Sequence, residues 1–129
     1  MPRPTMTAPE KRDHPSPRRG DVFLTRLDPI EGSEQAGTRP VVVVTRDAIN
    51  ANSPVVVIVP LTDAGNPTRI YPSHVRISKG SGGLRKDSVA KCEQIRAIAV
   101  SRLLTFWGKL ANSEIAQIEQ AIRTALALR

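Results

Sequence analysis

A chain of 129 residues suits one domain with a single core and is too short for two. Its 19 Lys and Arg outnumber 12 Asp and Glu, and the net charge of +7 calls for acidic partners, nucleic acid foremost in a cytosolic protein. Four aromatic side chains are too few for rows of stacking rings, one cysteine allows neither an internal disulfide nor a structural zinc cluster, and no apolar run reaches the ~18 residues of a membrane span.

Residues 1–19 hold five of the eleven prolines, several charges and almost no large apolar side chain. Such a segment cannot bury enough surface to offset its ordering entropy, so a mobile basic tail is expected, with the folded domain at residues 20–129. The tail is a solvated extension or an electrostatic arm for nucleic acid. Its prolines and charges are not those of a secretory signal, which points to a reducing, cytoplasmic setting.

From Gly20 the pattern turns β-rich. Asp21 to Leu27 reads as a strand. Pro40 to Thr45 and Val55 to Val59 are near-continuous β-branched runs, the mark of central strands covered on both faces, with Pro40, Pro54 and Pro60 at run ends. Val75 to Ser78, Ser88 to Lys91 and Ile95 to Val100 are shorter strand candidates. The last segment changes period: Ile115, Ile118, Ile122, Ala125 and Leu126 recur at three- and four-residue spacing, which predicts an amphipathic helix of about fifteen residues with Ser113 as N-cap and Glu114 beside it. Strands with one closing helix and no βαβ alternation imply a mainly β fold, a small, strongly bent antiparallel sheet or barrel.

Familiar catalytic sites are absent from the sequence. No phosphate-binding glycine loop occurs, no metal ligands stand at useful spacing, and neither His14 nor His74 belongs to a hydrolase motif. His74 reads first as a hydrogen-bonded structural residue and Cys92 as a small buried hydrophobe. What remains is the polar loop Gly32 to Gly37 running into Thr38-Arg39-Pro40. A guanidinium at the start of a valine-rich strand suits a phosphodiester, to which it can make two parallel hydrogen bonds; a loop salt bridge between Arg39 and Glu34 is the alternative. Thr62, after the second valine run, is a β-former at a strand end or a hydroxyl that donates to an anionic oxygen.

Taken in order, Arg19-Gly20-Asp21-Val22, Asp28-Pro29, Gly32 to Gly37, Arg39-Pro40-Val41, Pro60-Leu61-Thr62, His74-Val75, Asp87-Ser88-Val89 and Glu93-Gln94-Ile95-Arg96 resemble the MazF/PemK toxins. The resemblance runs from about Arg19 to Leu128. It implies a small SH3-like antiparallel β-barrel with a C-terminal helix, a homodimer, and a cytoplasmic endoribonuclease of a type II toxin–antitoxin pair. Such enzymes cut single-stranded RNA at short sequences with no metal or other cofactor, leaving a 2′,3′-cyclic phosphate and a 5′-hydroxyl. It places the catalytic arginine at Arg39 and the catalytic hydroxyl at Thr62. Glu34 is then general base or orienter of Arg39. RNA contacts fall to Ser33, Gln35, Glu93 and Gln94, and to Arg69 in the variable Asp63 to Tyr71 loop. A MazE-like antitoxin is the implied partner, with no membrane association.

Two other classes share this sequence pattern. A CcdB-like topoisomerase poison has the same fold but ends in Trp-Gly-Ile, whereas this chain ends Leu126-Ala127-Leu128-Arg129 and keeps its Trp107-Gly108 pair internal. A catalytically silent RNA- or protein-binding module would bind RNA with salt-dependent affinity and leave it uncut.

Overall fold

The computed structural model describes residues 16–27, 37–65 and 71–129. Among them the chain forms β1 (Asp21–Arg26), β2 (Thr38–Val43), a short helix α1 (Asp47–Asn50), β3 (Val55–Asp63), β4 (His74–Ile77), β5 (Ser88–Lys91), β6 (Arg96–Ala99), β7 (Leu103–Lys109) and the C-terminal helix α2 (Asn112–Leu126). All pairings are antiparallel, in the order β4-β5-β3-β2-β1-β7, with β6 on the free half of β3. Mainly β with a C-terminal helix is therefore correct. Among the described residues the ladder runs from β4 at one end to β7 at the other without closing on itself.

The valine runs behave as central strands. Val41, Val42, Val43 and Val59 are all fully buried, and each is worth roughly 1.5–3 kcal/mol over an exposed side chain. Successive residues point to opposite faces, so the runs feed two cores. One face carries Phe23, Leu27, Val41, Val43, Val56, Ile58, Ile98 and Leu103. The other carries Val22, Val42, Val59, Leu61, Val75, Ile77 and Leu110, and α2 covers it with Ile118 and Ala121.

Of the three prolines expected at run ends, Pro54 stands just before β3, but Pro40 and Pro60 lie inside strands. Pro40 pairs with Leu24 of β1, and Pro60 pairs with Val41 as the last rung between β2 and β3. Beyond that rung β3 continues as Leu61–Asp63 against β5. Pro60 has no N–H to give, so it sits well where β3 leaves one neighbour for another.

Three further expectations are corrected. Strand β7 was not among the candidates; it closes the ladder beside β1 through two register shifts. The helix begins one residue before Ser113: its N-cap is Ala111, whose N–H donates to the Glu114 carboxylate at 2.8 Å. Leu126, expected on the buried stripe, is 48% exposed, and Ala121 takes the inward position instead. Most of the expected tail (residues 1–15) lies outside the described residues. Arg18 and Arg19 are tied to the body, Arg18 N–H to Asp21, Arg19 N–H to Asp47 at 2.7 Å, and the Arg19 guanidinium to Glu119.

Candidate active site on one sheet face

Arg39 and Thr62 come from separate strands, and the ladder brings them to one face. In β2, Arg39 alternates with Val41 and Val43; in β3, Thr62 alternates with Pro60, Ile58 and Val56. All belong to the same side of the sheet. The rungs Val41–Pro60, Val42–Val59 and Val43–Ile58 set the register, and Arg39 and Thr62 stand two residues beyond the last of them. Here β2 and β3 begin to part. Arg39 remains in the β1 ladder opposite Thr25, which is fully buried with its hydroxyl donating to the Phe23 carbonyl at 3.1 Å. Arg39 and Thr62 are half-buried: anchored by backbone, with side chains at the rim of the Phe23–Ile58 core.

Pairing extends this face across the neighbouring strands. Thr62 pairs with Val89, Val89 with Arg76, and Lys91 with His74, so Thr62, Arg76, Lys91 and His74 share one side. On β6, Arg96 pairs with Ile58 and joins them. Arg39, Arg76, Lys91 and Arg96 thus put four basic side chains on the same sheet face as the Thr62 hydroxyl. Reading along the chain missed Arg76, Lys91 and Arg96 as site residues; only cross-strand register reveals that they face Thr62.

His74 is held as a hydrogen-bonded residue, as expected. Its Nε2 lies 3.1 Å from Glu93 Oε2, the Ser73 hydroxyl donates to Glu93 Oε1 at 2.9 Å, and the Tyr71 ring meets the imidazole edge-on at 5.2 Å. Burial pulls the Glu93 carboxyl upward, but the hydrogen bonds with His74, its own backbone N–H and Ser73 outweigh it and keep the group below its ordinary value. Gln94 follows in the same short turn and is half-buried. Glu34, Ser33, Gln35 and Arg69 lie outside the described residues. Cys92 is fully buried, its Sγ 3.9 Å from the Ile118 carbonyl; desolvation, with a smaller push from Glu93, raises its thiol to about 12. Among the described residues no three His, Cys, Asp or Glu side chains converge as metal ligands.

Residues 18–126 match the family model for the PemK-like, MazF-like toxin of type II toxin–antitoxin systems. The curated endoribonuclease MazF of Staphylococcus epidermidis is 44% identical over 114 residues, covering 86% of this chain and 92% of the relative; that of Staphylococcus saprophyticus is 41% identical over 111 residues. Among solved structures, MazF from Deinococcus radiodurans superposes with a TM-score of 0.75 at 21% identity, covering 88% of this chain and 98% of that one. A mycobacterial endoribonuclease in complex with its cognate antitoxin superposes at 0.73 with 24% identity and the same coverage. At those identities the likeness speaks for the fold.

Proposed function

The chain belongs to the PemK-like, MazF-like toxin family and is an endoribonuclease of it; from that premise we propose that it cuts single-stranded RNA by attack of a ribose 2′-hydroxyl on the adjacent phosphorus, with Arg39 and Thr62 at the scissile phosphate. The observation that supports this reading is that a guanidinium and a hydroxyl share one sheet face with Arg76, Lys91 and Arg96.

In this reaction the 2′-oxygen forms a bond to phosphorus as the bond to the 5′-oxygen breaks. The 2′-proton leaves to a base and a proton is returned to the 5′-oxygen, giving a 2′,3′-cyclic phosphate and a 5′-hydroxyl. Negative charge grows on the two non-bridging oxygens, and a guanidinium fixed by its strand stabilises that charge without reorganising. Thr62 adds a second donor to the same group. A guanidinium stays protonated and makes a poor base, so proton removal falls to another group, for which Glu34 has the right chemistry. Glu93, Gln94, Ser33, Gln35 and Arg69 then contact the RNA on either side of the cut.

The same reading makes the bent, open sheet this family's SH3-like barrel and the active species a cytoplasmic homodimer. It gives the toxin a MazE-like antitoxin whose acidic segment competes with RNA for the basic face. The test incubates purified protein, in EDTA, with an RNA and with the same RNA carrying a single 2′-deoxy substitution at the cut. Only the all-ribose strand should be cleaved, because DNA-like sugar lacks the nucleophile. Arg39→Ala should slow cutting ~10²-fold or more, the usual cost of losing a donor at developing charge, and Thr62→Ala should also impair it. Cleavage of both strands, or near-normal rates in Arg39→Ala, would overturn the mechanism.

A further inference from the structure

Where β2 and β3 part, a notch of about 290 Å³ opens on the side of the sheet opposite Thr62. Its apolar walls are Pro40, Leu61 and Leu84, and Arg39 stands at its lip. We infer that this notch is a subsite for one nucleobase of the RNA strand, an amino-bearing base next to the cut, stacked on Trp107; the inference rests on the RNA-cutting reading above.

Four observations carry it. The first is size: the volume lies at the low end of the roughly 300–1,000 Å³ of small-molecule sites, enough for a single base and its sugar. The second is a stacking platform already in place. The Arg85 guanidinium lies 4.6 Å over the Trp107 ring, and a flat cation–aromatic pair of this kind is a surface on which an unstacked RNA base stacks.

The third is how that platform is fixed. Gly83 has φ +75°, and a Cβ there would come within 2.2 Å of the Trp107 carbonyl oxygen. Only glycine lets the turn at Ser81–Gly83 press onto β7, so the backbone of Trp107 and the segment leading to Arg85 are locked together. The fourth is the polar edge. Asp63 lines the notch, its Oδ1 accepting the Gly65 N–H at 2.8 Å and its Oδ2 lying 3.3 Å from Lys86 Nζ. The Gly65 hydrogen bond and Lys86 keep that carboxyl below its ordinary value. The Ser88 hydroxyl donates to the Lys86 carbonyl at 2.9 Å and leaves its oxygen as an acceptor. A carboxylate and an acceptor oxygen reject phosphate and receive the exocyclic amino group of adenine, cytosine or guanine. Because Arg39 borders both the notch and the Thr62 face, a strand with its phosphate at Arg39 can send a neighbouring base into the notch.

Trp107 is the sole tryptophan of the chain, so its emission reports on this site alone. The full-length protein is titrated with short RNAs that carry a 2′-deoxy residue at the cut and an abasic residue at each flanking position in turn, while anisotropy follows binding. RNA with all bases should change the Trp107 emission. One abasic position should remove that change and weaken binding about tenfold, and uracil there should bind less well than an amino-bearing base. Arg85→Ala, an exposed side chain whose loss spares the core, should weaken the intact RNA about tenfold and the abasic one hardly at all.

Binding that leaves the emission unmoved, or abasic penalties that Arg85→Ala does not change, would overturn the subsite while leaving the cutting reading intact. Emission moved by an acidic antitoxin peptide but by no RNA would also overturn it, in favour of a protein site. The expected emission change without cleavage of the all-ribose strand would keep the subsite and defeat the cutting reading.

Discussion

The four cations on the Thr62 face predict a specific salt response. If RNA lies across that face, Arg39, Arg76, Lys91 and Arg96 each neutralise one phosphate. For single strands the slope of log K against log[salt] is about −0.7 per phosphate, so four contacts give about −2.8 and affinity should fall about 50-fold between 50 and 200 mM salt. Arg76 is the informative residue to remove. It is exposed on β4 and contributes nothing to either core, so Arg76→Ala tests charge rather than folding. Its slope should shrink by about 0.7, leaving a fall of about 18-fold over the same range. Arg123→Ala is the control: Arg123 sits on α2, which packs against the opposite face, and its guanidinium bonds to the Arg129 carbonyl at 2.8 Å. The assay is anisotropy of a labelled RNA with a 2′-deoxy residue at the cut, repeated across a salt series. If Arg76→Ala keeps the parental slope while Arg123→Ala lowers it, the RNA follows the helix side, and the assignment of the face fails.

Three further outcomes concern stability. Ala127 ends α2 with φ 58°, in the left-handed region, while the Leu128 N–H closes the turn onto the Arg123 carbonyl at 2.8 Å; Ala127→Gly should relieve about 1 kcal/mol of strain, visible as a melting temperature higher by a few degrees. Gly83→Ala should do the opposite, because its methyl meets a backbone oxygen that cannot swing aside; a loss of about 2 kcal/mol or more in urea unfolding, with a shifted Trp107 emission, is expected. Cys92 gives a pH signature. Its thiol ionises near 9.0 when unfolded and at about 12 when folded, so the unfolded state sheds its proton first. The contribution is whole below pH 9 and drains away as pH climbs toward 12; Cys92→Ala should lose less stability than the parent between pH 8 and 10.5, and equal losses would show that burial does not hold the thiol protonated.

Local chemistry made β1 to β6 and α2 readable, because each buries a run, an alternating face or a stripe whose period matches its structure. Strand β7 escaped for a physical reason. It is the end strand of the ladder, its register against β1 slips twice, and Leu104, Thr105 and Phe106 are all exposed, so neither alternation nor a continuous apolar run marks it. Ser113 misled because it lies one residue inside the helix: the N-cap is Ala111, which has no side-chain acceptor, and the Glu114 carboxylate reaches back to the Ala111 N–H. At the site, residue type pointed to Arg39 and Thr62 one at a time. Their shared face, and the presence of Arg76, Lys91 and Arg96 on it, depend on which rung meets which across five strands, and no window of sequence holds that information.

Pro60 ties these features together. A strand between two permanent neighbours uses both edges at every position, and its side chains are walled in by the strands beside it. Strand β3 instead gives up β2 after Pro60 and takes β5 from Leu61 onward, while Pro40 stands on the parting edge of β2. Pro60 stands at the last rung between β2 and β3, a ladder end where a residue without an N–H is tolerated. The parting does two things at once. It lets the half-buried side chains of Arg39 and Thr62 reach the rim on one side, and on the other it opens the notch beneath Trp107. A proline read as a strand stop is thus a point of exchange between sheets, and the candidate chemistry gathers there because that is where the backbone has room for a second chain.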